Sequence, residues 1–149
     1  MLEVRAEERD EIRAWLELFG GHVRRREFMQ AARLFDSDVL SFSSLRDVVV
    51  GLDALVDEQW RMVWPVIEGF RFDMESLHVF GSVDGRMAVV AVTWTSTGFD
   101  RGGREFERPG RATIALGRDA FPGPWLGVHA HFSLNRGVPQ QSFGPGSHG

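Results

Sequence analysis

The stretch PWLGVHAHFSLNRG, residues 124–137, sets two histidines two apart and a serine two further on. Side chains alternate between the faces of a strand, so His129, His131 and Ser133 share one face with Trp125 and Gly127. Leu126, Val128, Ala130, Phe132 and Leu134 fall on the other. One side is apolar throughout and the other is mixed, the pattern of a strand with one face on a core. Working backward, REFERPGRATIALG (104–117), RMAVVAVTWTSTGF (86–99) and FRFDMESLHVFGS (70–82) are strand-like too. Val83-Asp84-Gly85 is a strong hairpin signal, and 100–103 and 118–123 supply the other turns. The second half of the chain therefore reads as an antiparallel meander.

The first half reads differently. Ile12, Trp15, Leu16 and Phe19 recur at i, i+3, i+4 and i+7, which predicts an amphipathic helix over 7–23. Gly20 and Gly21 weaken its end, each by roughly 1 kcal/mol relative to Ala. Phe28, Ala31, Ala32 and Phe35 predict a second helix that stops at Asp36-Ser37-Asp38. VLSFSS (39–44) and VVVG (48–51) read as short strands. Leu52, Leu55, Val56, Gln59, Trp60, Val63 and Trp64 give a third helix, opened by Gly51 and ended or kinked at Pro65, which has no amide proton to donate. Helices followed by a meander imply an α+β fold with the helices on one side of a mostly antiparallel sheet. The domain is expected to span 1–136. The remainder, GVPQQSFGPGSHG (137–149), is rich in Gly, Pro, Ser and Gln without a period and reads as a mobile tail, with His148 a bystander.

Composition narrows the chemistry. A chain of 149 residues can form one domain with a sizeable core. The net charge of −4 argues against a general nucleic-acid binder, and the one concentrated basic run, Arg24-Arg25-Arg26, reads as a solvated helix end. There is no Cys, Tyr or Lys, so all 17 basic residues other than histidine are arginine. That excludes disulfides, thiolate metal sites, cysteine nucleophiles, phenol donors and lysine Schiff bases. All-arginine usage also points to a GC-rich bacterial genome. The start, MLEVRAEERDEIRAW, is acidic where a secretory leader needs a basic end and an apolar run. No segment approaches the roughly 20 apolar residues of a membrane span. A cytoplasmic protein is expected.

LFDSDVLSF, VGLDAL and the pair GRATIALGRD and PWLGVHAHFS resemble segments of the nuclear transport factor 2-like superfamily. The last hairpin is most similar to the SnoaL-like subgroup and to the association domain of calcium/calmodulin-dependent protein kinase II. The resemblance covers about 8–136. It implies a cone-shaped α+β barrel whose strongly curved sheet and three helices enclose a pocket, while the convex face forms a homodimer. On that basis Trp125, His129, His131 and Ser133 are expected at the dimer interface.

The resemblance also implies that Arg111 points into the pocket, where its guanidinium could clamp an oxyanion, or else pair with Asp53 or Asp38 for structure. Trp15, Trp60, Trp64, Trp94 and Phe132 are expected to wall the cavity. Asp36 with Asp38, Asp53 or His78 are candidate acids or bases for an isomerase, cyclase or hydrolase acting on a small apolar substrate. The tyrosine-dependent ketosteroid isomerase mechanism is excluded, since the chain has no tyrosine. His129-x-His131 has strand spacing for two imidazoles on one metal but lacks a third ligand nearby, so no metal and no cofactor are expected. Three readings stay open: a small-molecule-binding domain, an enzyme, and a dimerisation domain without a ligand.

Overall fold

The computed structural model describes residues 2–45 and 47–146. Helix α1, Ala6–Arg25, buries Ile12, Trp15, Leu16, Phe19 and Val23 on the face set by their spacing. It ends where Arg26 turns left-handed, with the Arg26 and Glu27 amides donating to the carbonyls of Val23 and His22. The arginine run is occupied here. Arg24 donates to the Phe70 carbonyl, and Arg26 donates to those of Trp64 and Ile67.

Helix α2, Phe28–Ala32, is shorter than its apolar spacing suggests. Phe35 leaves the helical face to begin strand β2, Phe35–Phe42, where it packs edge-on against Trp15, Phe19 and Trp60. Strand β3 is only Val49–Val50. The third helix, α3 over 52–66, changes pitch along its length. It opens as α over Leu52–Ala54, widens to a π-helix over Leu55–Trp60, and tightens to a 3-10 turn at Trp64–Val66 around Pro65.

The sheet runs β1-β4-β5-β7-β8-β2-β3, with β1 Leu2–Glu3, β4 Glu68–Gly81, β5 Met87–Phe99, β7 Gly110–Gly117 and β8 Leu126–Leu134; β6, Glu105–Glu107, pairs with β5 off that path. Its pairings are antiparallel except β2 with β8. Register breaks in β4/β5, β7/β8 and β2/β8 bend the sheet so that its concave face wraps the helices.

One break changes the reading of the last strand. Ala115 faces His129 but Leu116 faces Gly127, so Val128 is an extra residue. The bulge reverses the alternation on its N-terminal side. Gly127 turns inward against the Phe35 ring, which a Cβ at that position would overlap, and Trp125 follows it into the core. Trp125 is therefore not on the convex face where simple alternation placed it. It is buried within the chain, donating from its indole to Glu11 and covering the Arg118 guanidinium.

Part of the 137–149 segment makes specific contacts with the domain. Ser142 is buried, accepts the Phe99 amide and donates to the Val66 carbonyl, while the Phe143 amide donates to Phe99. These bonds tie 142–143 across the end of β5, and Arg101 covers the Phe143 ring. His148 lies outside the described residues. No helix among the described residues is long and apolar enough to cross a membrane.

Candidate functional site

Between α1, α3 and the concave sheet lies a cavity with space of about 50 Å³ for the centres of water-sized atoms. That is several times the ~10–15 Å³ one water needs. Phe19 and Val23 of α1, Trp60, Val63 and Trp64 of α3, and Phe70, Trp94 and Phe132 of the sheet give it apolar walls. Trp60 and Trp64 stack at 4.7 Å between ring centroids, and Phe28 stacks on the far side of Trp64. This rigid aromatic wall is set by the helix: Trp60 closes the π-helical turn, whose extra residue also brings Gln59 to the cavity. Trp94 reaches in from β5 because Gly110 opposite it has no side chain; a Cβ there would overlap the indole.

The cavity's charge comes from Arg108, between β6 and β7. Pro109 confines the residue before it to extended backbone. Two reciprocal bonds then fix Arg108 against β5, its amide donating to the Ser96 carbonyl and the Ser96 hydroxyl donating to the Arg108 carbonyl. The side chain is driven inward and is 5% exposed. Its guanidinium lies 5.4 Å from the Trp94 ring centroid and donates to two hydroxyls, Ser96 at 3.3 Å and Ser44 at 3.4 Å. No carboxylate pairs with it among the described residues. Burial without a counter-charge pushes its pKa down to about 10, so it remains a cation at neutral pH.

Three buried polar atoms on this lining have no protein partner: Arg108 Nε, Trp94 Nε1 and Gln59 Oε1. A neighbouring hollow of about 110 Å³ shares Arg108, Ser44, Val63 and Ile67 and is lined on its other side by Gln140, Gln141 and Ser142.

Of the residues expected to wall the cavity, Trp60, Trp64, Trp94 and Phe132 line it. Trp15 does not; it is buried one layer away against Phe19 and Phe35. Arg111 is on the opposite side of the sheet. Gly110, Ala112, Ile114 and Leu116 occupy the inner face of β7, so the odd positions point out, and Arg111 donates to Ser133 on the convex surface at 3.3 Å. It pairs with neither Asp53 nor Asp38. Carrying the even positions backward past Gly110 gives Arg108, so the signal for the cavity arginine was present as parity.

Asp36, Asp38, Asp53 and His78 do not line the cavity. Asp36 accepts the Asp38 amide within β2, Asp53 is exposed on the first turn of α3, and His78 lies on the convex face. That face forms an open groove of about 680 Å³ lined by His78, Arg111, His131 and Ser133 among others. Beside it, His129 donates from Nδ1 to the Leu40 carbonyl, and the Phe42 ring meets both His129 and His131 edge-on. Among the described residues no three His, Asp or Glu side chains cluster as a metal site would require.

No protein-family model and no curated protein matches the sequence. Solved structures do match in fold. A ketosteroid isomerase-like protein from Erwinia carotovora atroseptica superposes with a TM-score of 0.72 at 17% identity, covering 88% of this chain and 98% of that one. A nuclear transport factor 2-like protein of unknown function from Pseudomonas putida gives 0.71 at 22% identity, covering 93% and 94%. A putative calcium/calmodulin dependent protein kinase II association domain from Xanthomonas campestris gives 0.70 at 20%, covering 86% and 88%. The chain has the α+β fold shared by these nuclear transport factor 2-like and ketosteroid isomerase-like proteins.

Proposed function

We propose that this protein is a small-molecule-binding domain whose aromatic cavity takes a compact, largely apolar acid, with the acid's carboxylate on Arg108. The observation that carries this reading is a buried guanidinium with no carboxylate of its own, set among aromatic rings. An unpaired buried charge is costly, and a ligand carboxylate would neutralise it with charge-assisted hydrogen bonds in a site of low dielectric. Proton-transfer catalysis would call for an acid or histidine beside the ligand. Among the described residues the lining contains none, which favours binding over an isomerase, cyclase or hydrolase.

The test is titration with benzoate and with benzamide, its uncharged relative of the same shape, followed by calorimetry and tryptophan fluorescence. Benzoate should bind saturably and at least about tenfold more tightly than benzamide, and Arg108→Met should abolish that preference. Equal affinity for the two compounds, or benzoate binding unaffected by Arg108→Met, would sink the reading.

A second observation supports homodimerisation through the convex face. Leu40 and Phe42 are each more than a third exposed there, next to His129, His131 and Ser133. The calcium/calmodulin dependent protein kinase II association domain among the structural neighbours is named for assembly. Sedimentation should find a dimer that Phe42→Glu converts to a monomer. A wild-type monomer at high concentration, or a Phe42→Glu dimer, would count against this interface.

A further inference from the structure

We infer that the ligand of the aromatic cavity carries a hydrogen-bond donor as well as its carboxylate, making it a hydroxy- or amino-substituted arenecarboxylate, and that Gln59 selects for that donor. This rests on the reading of Arg108 as the carboxylate anchor.

The cavity presents two kinds of unmet demand. Arg108 Nε and Trp94 Nε1 are donors without acceptors, and both suit a carboxylate, which has room for several donors on its two oxygens. Gln59 Oε1 is an acceptor without a donor, and a carboxylate cannot satisfy it. All three side chains are more than nine-tenths buried and line the same cavity. The π-helical turn that carries Gln59 sets it beside Trp60, on the aromatic wall. A ring held between these walls with its carboxylate on Arg108 can meet Gln59 with a ring substituent, and a hydroxyl or amino group supplies the missing proton. Sites built around such a bond reject analogues that lack the group, because the buried acceptor is then left unpaired.

The experiment measures the affinities of benzoate, 3-hydroxybenzoate and 4-hydroxybenzoate for the wild-type protein, Gln59→Met and Arg108→Met. At least one hydroxy acid should bind wild type about tenfold or more tightly than benzoate. In Gln59→Met that ratio should fall to within about twofold while benzoate itself still binds. Arg108→Met should weaken all three acids together. If neither hydroxy acid outbinds benzoate in wild type, or the gain survives in Gln59→Met, the inference about Gln59 is overturned and the carboxylate anchor stands. If no acid binds wild type, or Arg108→Met binds them undiminished, the anchor fails and this inference with it. Should Gln59→Met not fold, Gln59→Leu takes its place in the same comparison, and the wild-type affinities alone can still overturn the inference.

Discussion

Arg108 and Arg118 are both buried, yet their surroundings are opposite. The Arg118 side chain is fully enclosed and enters an ion pair with Glu11 at 3.1 Å, with Glu8 a further carboxylate at 4.0 Å. It donates to the carbonyls of Gly85 and Gly123, and the rings of Phe121 and Trp125 cover its two faces. Arg108 has two serine hydroxyls, one indole face and, among the described residues, no acid. One arginine closes a structure and the other leaves one open. Burial alone does not distinguish the two; the presence of a counter-charge does.

The largest effect expected from this contrast is at Arg118. Arg118→Met takes the buried cation from Glu8 and Glu11, leaving Glu8 only the exposed Arg5 at 3.9 Å, and removes one of the two side-chain ties from the 118–125 loop to Glu11 of α1. Removing one member of a buried pair costs about 3–5 kcal/mol, and the partial exposure of Glu11 places this loss near the lower end. Urea denaturation should show it as a lower midpoint with an unchanged slope. A loss under about 1 kcal/mol would mean that the two arginines are energetically alike.

Arg108→Met should move stability the other way. Arg108 has its folded pKa lowered from 12.5 to about 10, so the charged form is penalised in the native state at every pH below that value. Replacing it with an apolar side chain of similar length should raise the unfolding free energy of the ligand-free protein by about 1–2 kcal/mol. The gain should hold through neutral pH and narrow above about pH 10, as wild-type Arg108 sheds its proton and its penalty. Destabilisation by Arg108→Met would mean that the two hydroxyls and the Trp94 face already compensate the charge.

Supplying the missing acid should turn the open site into a closed one. Ser44 Oγ stands 3.4 Å from the guanidinium, so Ser44→Asp puts a carboxylate where a ligand's would sit. Benzoate affinity should fall at least about tenfold with little change in stability, because the new pair's Coulombic gain is offset by the cost of burying a second charge. Full-strength benzoate binding in Ser44→Asp would place the anion elsewhere.

The same two arginines show how far the sequence could be read. Helix α1 and the long strands β4 and β5 follow from local periodicity, because each meets one core along its whole length. The 104–117 run divides into β6 and β7 because Arg108-Pro109 interrupts the pairing, an interruption the proline already signals. Alternation through Ala112, Ile114 and Leu116 is enough to find Arg108. The resemblance of GRATIAL to related domains points instead to Arg111, three residues along on the outer face. Trp125 was not legible in this way. The Val128 bulge that turns it inward is a register relation between β7 and β8, and nothing local to the strand announces it. Nor does the tail's Gly- and Pro-rich composition reveal that Ser142 completes the edge of β5.

A surface cluster supplies the smallest effect and the baseline for the buried pair. At the end of α1, Glu27 accepts from His22 at 3.0 Å and from Arg25 at 2.7 Å. The bond from His22, and then that from Arg25, holds the Glu27 carboxyl below its ordinary value of 4.5. A carboxyl with a lowered folded pKa adds stability above its unfolded pKa and loses that contribution as pH falls through the folded value. Glu27→Gln should therefore be slightly less stable than wild type at neutral pH and converge with it in the acid limb below about pH 4.5. Exposure and salt keep the difference small, so it should shrink further at high ionic strength, whereas the Arg118→Met deficit should barely respond to salt. A salt-independent Glu27 effect as large as that of Arg118 would show that an ion pair's placement in this fold does not set its weight.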